Sequence, residues 1–198
     1  MFNFMLASSN AHKAQELQQI FSDAPFTISA APEKLAVVED GKSYYENAFK
    51  KAQTYFVHYK TPVVADDSGL EVDALPGELG IHSARFGGAE ASDQAKVDLL
   101  LQRMAHLSDP AQRLAHYTCV LCFYFAPEEV YFFTGELRGH LALQAQGTSG
   151  FGYDPIFIPA ELDPDTLAMH EAWKQQNSHR TRAAQAALAF LRERIAKS

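Results

Sequence analysis

The spacing of apolar residues separates short, strand-like runs from longer helical stripes. Phe2 to Ala7 is an apolar run of strand length, and Phe26 to Ser29 is a second. Thr61-Pro62-Val63-Val64 is short, apolar and β-branched and follows a helical segment, which predicts a buried parallel strand. Two longer runs, Leu114 to Phe125 and Val130 to Leu141, flank Pro127-Glu128-Glu129 and predict an antiparallel hairpin. Helical periodicity covers Ala11 to Phe21, where Leu17, Ile20 and Phe21 share a face, and returns over Tyr44 to Tyr59. Within the second helix, Glu46 and Lys50 are spaced to pair at i,i+4. Asp93 to Met104 is amphipathic, with Ser92 placed to cap it, and an Ala-rich helix spans Arg180 to Ile195. Glycines punctuate the stretches Gly77 to Gly88 and Gly147 to Gly152.

Alternating strands and helices followed by a long hairpin predict an α/β fold, a mixed sheet flanked by helices. The 198 residues fit a single domain, 1–198, with two lobes. Apolar residues at 47% supply a substantial core, so no staple is needed for folding. The formal charge of −7 argues against a nucleic-acid polymer or an acidic membrane as partner. It still permits a small polyanion, which a few local cations can hold. The first residues carry no basic segment, and no run approaches the ~20 apolar residues of a membrane span. A cytoplasmic protein is expected. Cys119 and Cys122 lie three apart on a strand and so point to opposite faces, which makes both structural rather than a metal pair.

The most informative stretch is Ala65-Asp66-Asp67-Ser68-Gly69. Placed just beyond a strand's carboxyl end, where open α/β sheets bind ligands, two adjacent carboxylates can hold a hard divalent cation or activate water. A solvated turn is the bland alternative. Ser8-Ser9-Asn10-Ala11-His12-Lys13 lies at a strand-to-helix junction, where backbone N–H groups and a lysine suit phosphate, although Ser or Asn there also caps a helix. Phe151 sits between Gly150 and Gly152, so backbone can approach a ligand and the ring can stack on a base; otherwise it is a core Phe in a tight turn. Ser178-His179-Arg180 puts cations at a helix start, where the macrodipole favours anions.

These segments occur in one order with Tyr45-Glu46-Asn47-Ala48, Ser83-Ala84-Arg85-Phe86 and Tyr153-Asp154-Pro155-Ile156-Phe157. Together they closely resemble the inosine/xanthosine triphosphate pyrophosphatase family, from Ala7 to Ala184. The resemblance implies an elongated α/β fold with two lobes around a central cleft, a homodimer, and hydrolysis of ITP, dITP and XTP to monophosphate and pyrophosphate with Mg2+. It implies that Ser8, Ser9, Asn10 and Lys13 bind the triphosphate and that Glu39 and Asp67 hold the metal. Asp67 would be the general base, with Asp66 beside it. Ser68 would touch substrate, and Phe151, Gly152, Tyr153, Asp154, Lys174, His179 and Arg180 would form the base and sugar pocket. The chain departs from the family at Ser8-Ser9, at Glu39-Asp40-Gly41, at Leu79-Gly80 and at Ala172-Trp173, before Lys174.

Discrimination among purines is expected from Arg180 and His179 donating to a 6-keto oxygen. Adenine presents an amino donor there, which would leave those donors unpaired. A pyrophosphatase for modified pyrimidines fits the Ser-His-Arg and Phe-Gly-Tyr-Asp segments less well. A haloacid-dehalogenase-type phosphatase needs a D-x-D arrangement, which Asp66-Asp67-Ser68 is not. A nucleotide sensor without catalysis predicts loss of metal or base residues, yet Lys13, Glu39, Asp66 and Asp67 are all present.

Overall fold

The computed structural model describes residues 2–8 and 10–196, so the role expected for Ser9 lies outside the described residues. Six strands, β1 (Phe2–Ala7), β2 (Phe26–Ala30), β3 (Val63–Val72), β4 (Leu114–Ala126), β5 (Glu129–Leu141) and β6 (Phe157–Pro159), form one sheet in the order β2-β1-β3-β4-β5-β6. β1 runs parallel to both neighbours, with Phe4 opposite Ile28 and Leu6 opposite Val64. β6 is antiparallel to β5, with Gly139 opposite Pro159. The helices are α1 (Ala11–Ile20), α2 (Tyr44–Tyr59), α3 (Asp93–Arg103), α4 (Glu171–Asn177) and α5 (His179–Ala196). The mixed α/β sheet expected from the sequence is present. No helix among the described residues is long and apolar enough to cross a membrane.

Two local expectations change. β3 does not stop at Val64 but continues to Val72, so Asp66 and Asp67 lie within the strand rather than beyond its end. Extended backbone tolerates them because cationic side chains meet both carboxylates, as described below. Glu46 also does not pair with Lys50. It accepts the Lys42 N–H at 2.7 Å while its own N–H donates to the Ser43 cap, and Lys50 binds Asp40 instead.

The chain divides into two compact units. The first comprises Met1–Ser68, Cys119–Gly135 and His179–Ser198; the second comprises Gly69–Thr118 and Glu136–Ser178. The core of the first is aromatic. Phe4 sits edge-on to Phe26, Phe123 and Phe125 at centroid distances of 5.3, 5.1 and 4.9 Å, the geometry ring quadrupoles prefer. Leu17 of α1 and Ala183, Ala184, Ala187 and Leu191 of α5 pack against these rings. The alanines keep α5 tight against the sheet.

The second unit has its own core, in which Val97, Leu100 and Met104 of the α3 region meet Leu137, Tyr153 and Phe157. At its edge Arg113 is almost fully buried and faces backbone carbonyls alone. Its guanidinium donates to Met104, Leu107, Leu141 and Ala142 carbonyls at 2.9, 2.9, 2.8 and 2.6 Å. It therefore ties the end of α3 to the end of β5, and burial lowers its pKa. Arg113→Met keeps the volume but orphans these carbonyls. It should cost roughly 2–3 kcal/mol in urea denaturation; an unchanged midpoint would refute that role.

Candidate active site

A connected set of charges occupies the first unit. Its hub is Asp66, whose side chain is fully buried in β3. One oxygen, Oδ1, accepts from Lys13 Nζ at 2.7 Å and from Ser68 Oγ at 3.2 Å. The other, Oδ2, accepts from Arg180 Nε at 3.0 Å and from Cys119 Sγ at 3.1 Å. Burial alone would raise the Asp66 pKa, but Arg180, Lys13 and Lys51 together hold it well below the ordinary carboxylate value. Asp66 is thus ionised and saturated with donors.

Helix starts deliver two of these donors. Ser8 and Asn10 fold on each other, the Asn10 N–H donating to Ser8 Oγ at 3.2 Å. Asn10 Oδ1 accepts from the His12 and Lys13 N–H groups at 3.0 and 3.1 Å, which starts α1 and aims Lys13. The first-turn amides expected to meet phosphate are therefore partly engaged by the cap. Arg180, near the start of α5, is 1% exposed. Besides Asp66 it binds Ser68 Oγ at 2.9 Å and the Glu16 carboxylate. These carboxylates explain cations at a helix start: Asp66 and Glu16 outweigh burial and raise the Arg180 pKa.

Asp67 has a different environment. Its Oδ1 accepts from Lys51 Nζ at 2.9 Å, and the same ammonium binds Glu39 Oε2 at 2.9 Å. Its second oxygen, Oδ2, is buried with no hydrogen-bond partner. Burial is the dominant influence and raises the Asp67 pKa despite Lys51. The loop carrying Glu39 is pinned where Asn47 Oδ1 accepts the Gly41 N–H at 2.8 Å. Lys13, Glu39, Asp67 and Arg180, distant in sequence, thus belong to one network within one unit.

A second cluster lies in the second unit. Asp154 is buried, and its Oδ2 accepts from the Phe151 N–H at 3.0 Å and from Lys174 Nζ at 2.7 Å. The Lys174 ammonium also lies 4.5 Å from the Phe151 ring centroid, a cation–π contact. Gly150 must be glycine: its φ is +80°, and a Cβ would stand 2.1 Å from Asp154 Oδ2. Tyr153 OH donates to the Ser83 carbonyl at 2.8 Å, and Ser83 Oγ donates to the Gly80 carbonyl at 2.6 Å. Ser83 is structural, and Trp173, beside Lys174, packs on the core.

A family model described as the Ham1 family matches residues 4–190. The chain belongs to the Ham1 family. It is 39% identical over 189 residues to the dITP/XTP pyrophosphatase of Oceanobacillus iheyensis, a match covering 92% of this chain and 94% of that one. The structure of the Staphylococcus aureus Ham1 protein superposes with a TM-score of 0.85 at 36% identity, covering 97% of this chain and 99% of that chain. A nucleoside-triphosphatase / dITP/XTP pyrophosphatase from Mycobacterium abscessus gives 0.73 at 33% identity, covering 94% and 99%. Membership of the Ham1 family and its α/β fold agree with the resemblance drawn from the motifs.

Three residues of this Ham1 chain escape a motif-based reading. Lys51 looks like part of a charged helix end, yet it lies on the α2 stripe of Tyr44, Asn47, Ala48, Ala52 and Tyr55, all buried. A lysine on a buried stripe is the signal, since lysine is rarely buried unless paired. Glu16 shows no comparable pattern. Cys119, read as structural, donates to Asp66; Cys122 fits the structural reading, with burial pushing its thiol pKa up to about 12.

Proposed function

We propose that this Ham1-family protein hydrolyses ITP, dITP and XTP to the monophosphate and pyrophosphate with Mg2+, by attack of water on the α-phosphorus. The observation that carries this is the unequal pair in β3: Asp66 saturated by cations, Asp67 with a buried oxygen unused. A saturated carboxylate positions; an unpartnered one can bind and accept a proton. The names of the relatives supply the substrate class.

The donor set fits a hard cation. Glu39 and Asp67 offer carboxylate oxygens around one ammonium, and Asp67 Oδ2 has capacity to spare. No group of three or more His, Cys, Asp or Glu side chains able to hold a metal exists among the described residues. Two carboxylates are enough for Mg2+, which binds through one or two together with substrate phosphates. When bound by Glu39 and Asp67, Mg2+ would neutralise charge on the pyrophosphate and acidify water.

The protein's own groups do the rest. Lys13 and Lys51 bring positive charge to the polyphosphate, and preorganised cations in a water-poor site stabilise the charge that develops as pyrophosphate leaves. Asp67 would orient the attacking water and take its proton. Ser8, Asn10 and Ser68 bind phosphate oxygens. Arg180, engaged by Asp66, Ser68 and Glu16, keeps Asp66 and hence Lys13 in place. Phe151 to Asp154 and Lys174 serve the base and sugar, supported by the cation–π contact that steadies the ring.

Purified protein incubated with Mg2+ should release pyrophosphate from ITP and XTP, far more slowly from ATP, GTP and dUTP, and EDTA should stop the reaction. Orthophosphate as first product, or equal rates on ATP, would overturn the assignment; nucleotide binding without turnover would favour a sensor. The same resemblance carries a cytoplasmic homodimer, which light scattering would test as twice the 21.9 kDa chain mass.

A further inference from the structure

The Phe151 turn has glycines in the left-handed region on both sides, with φ +80° at Gly150 and +65° at Gly152. Such a backbone does not fix its own peptide planes, because glycine imposes no Cβ barrier to their rotation. The ring is therefore set by the bonds made to the turn, together with the Lys174 ammonium 4.5 Å from its centroid. On one side the Phe151 N–H is taken by Asp154 Oδ2 at 3.0 Å. Upstream, the Ser149 N–H and Oγ both donate to the Ala168 carbonyl. The peptide between Phe151 and Gly152 is held on both sides: its carbonyl accepts from the Asp154 N–H at 3.4 Å, and its N–H donates to Asp93 Oδ2 at the shorter 2.8 Å. Asp93 opens α3, where Ser92 already caps the helix by accepting the Ala95 N–H. Its carboxylate is thus spared for the turn. Its other oxygen meets Lys96 Nζ at 3.3 Å, and Lys96 is 13% exposed, so this anchor is itself braced.

We infer that Asp93 is a positioning residue: by holding the Phe151–Gly152 peptide it fixes the aromatic ring, and so sets how tightly the purine base is held. The inference rests on Phe151 facing the base, as proposed above. Without the Asp93 acceptor, that peptide keeps only the long Asp154 N–H bond to the Phe151 carbonyl, and the turn, with the Phe151 Cα that carries the ring, is held less firmly. The loss falls on binding of the base, before and during the reaction alike, and so on KM rather than kcat.

The test compares Asp93→Ala, Asp93→Asn and Phe151→Ala with Mg2+ and ITP or XTP. Asp93→Ala should raise KM about fivefold, the loss expected for one hydrogen bond, with kcat within about twofold of wild type. Asp93→Asn should restore KM, because its amide oxygen accepts the same N–H, whereas a role resting on the negative charge at the helix start would not be rescued. Phe151→Ala should raise KM more than either. An Asp93→Ala variant with unchanged KM, beside a Phe151→Ala variant with raised KM, overturns the role of Asp93 and leaves the ring as base platform. An unrescued Asp93→Asn variant likewise overturns it. An unchanged KM in Phe151→Ala overturns the platform and this inference with it.

Discussion

Asp67→Asn is expected to lower kcat on ITP by roughly a thousandfold, the range set by removing a general base. The fold should survive. Asparagine keeps the Oδ1 acceptor for Lys51 but places an NH2 donor where Oδ2 lay unpartnered. That donor neither accepts a proton from water nor binds a cation. Burial already penalises the Asp67 charge, as its raised pKa shows, so removing the charge relieves a cost while Lys51 keeps Glu39 as partner. Thermal unfolding should therefore give a Tm equal to or above wild type. Asp66→Asn should differ in kind. It leaves Arg180, 1% exposed, with less compensating charge, and removing one partner from a buried ion pair is strongly destabilising. Loss of rate with Tm preserved in one variant, and loss of Tm in the other, would separate the two carboxylates. Asp67→Asn activity within tenfold of wild type would refute its role as base.

The legible and the hidden parts of this protein divide along physical lines. Strand and helix positions follow from apolar period, and Phe2–Ala7, Tyr44–Tyr59 and the two long strands lie where the pattern puts them. β3 runs beyond its apolar segment, although two adjacent aspartates look like the end of a buried strand. Their compensation comes from Lys13, Lys51 and Arg180, far away in sequence, and no local rule contains it. α4 is short, and its apolar content is only Ala172 and Trp173, beside a buried Lys174, so no stripe announces it. The division of labour between Asp66 and Asp67 is hidden for the same reason. The residues are chemically identical neighbours, and alternation along the strand gives them different surroundings. Cys119 illustrates the converse: its burial was readable, but its contact with Asp66 depends on which strand lies next to β3.

Gly135→Ala should be a severely damaging small substitution outside the charged network. Gly135 lies in β5, under the start of α5. A Cβ there would stand 2.1 Å from the His179 carbonyl oxygen and 2.4 Å from the Ala183 backbone nitrogen. Both obstacles are main-chain atoms of a helix, so no side-chain rotation relieves them. α5 would have to withdraw by about 1 Å to restore ordinary contact, against close packing that resists it. That movement loosens Ala183, Ala184 and Ala187 from the aromatic core and shifts Arg180 away from Asp66. Overpacking of this kind costs about 3 kcal/mol, which for a chain of this length lowers Tm by roughly 6–12 °C. A displacement of ~1 Å in the groups that position Lys13 should also cost at least about tenfold in kcat/KM, measured at a temperature where the variant is fully folded. Gly77→Ala is the control. Its φ of +77° strains any side chain, but a Cβ there meets nothing within 4 Å, so it should cost stability alone and leave kcat/KM unchanged. Equal kcat/KM in wild type and Gly135→Ala would show that the seat of α5 on β5 does not govern the charged network.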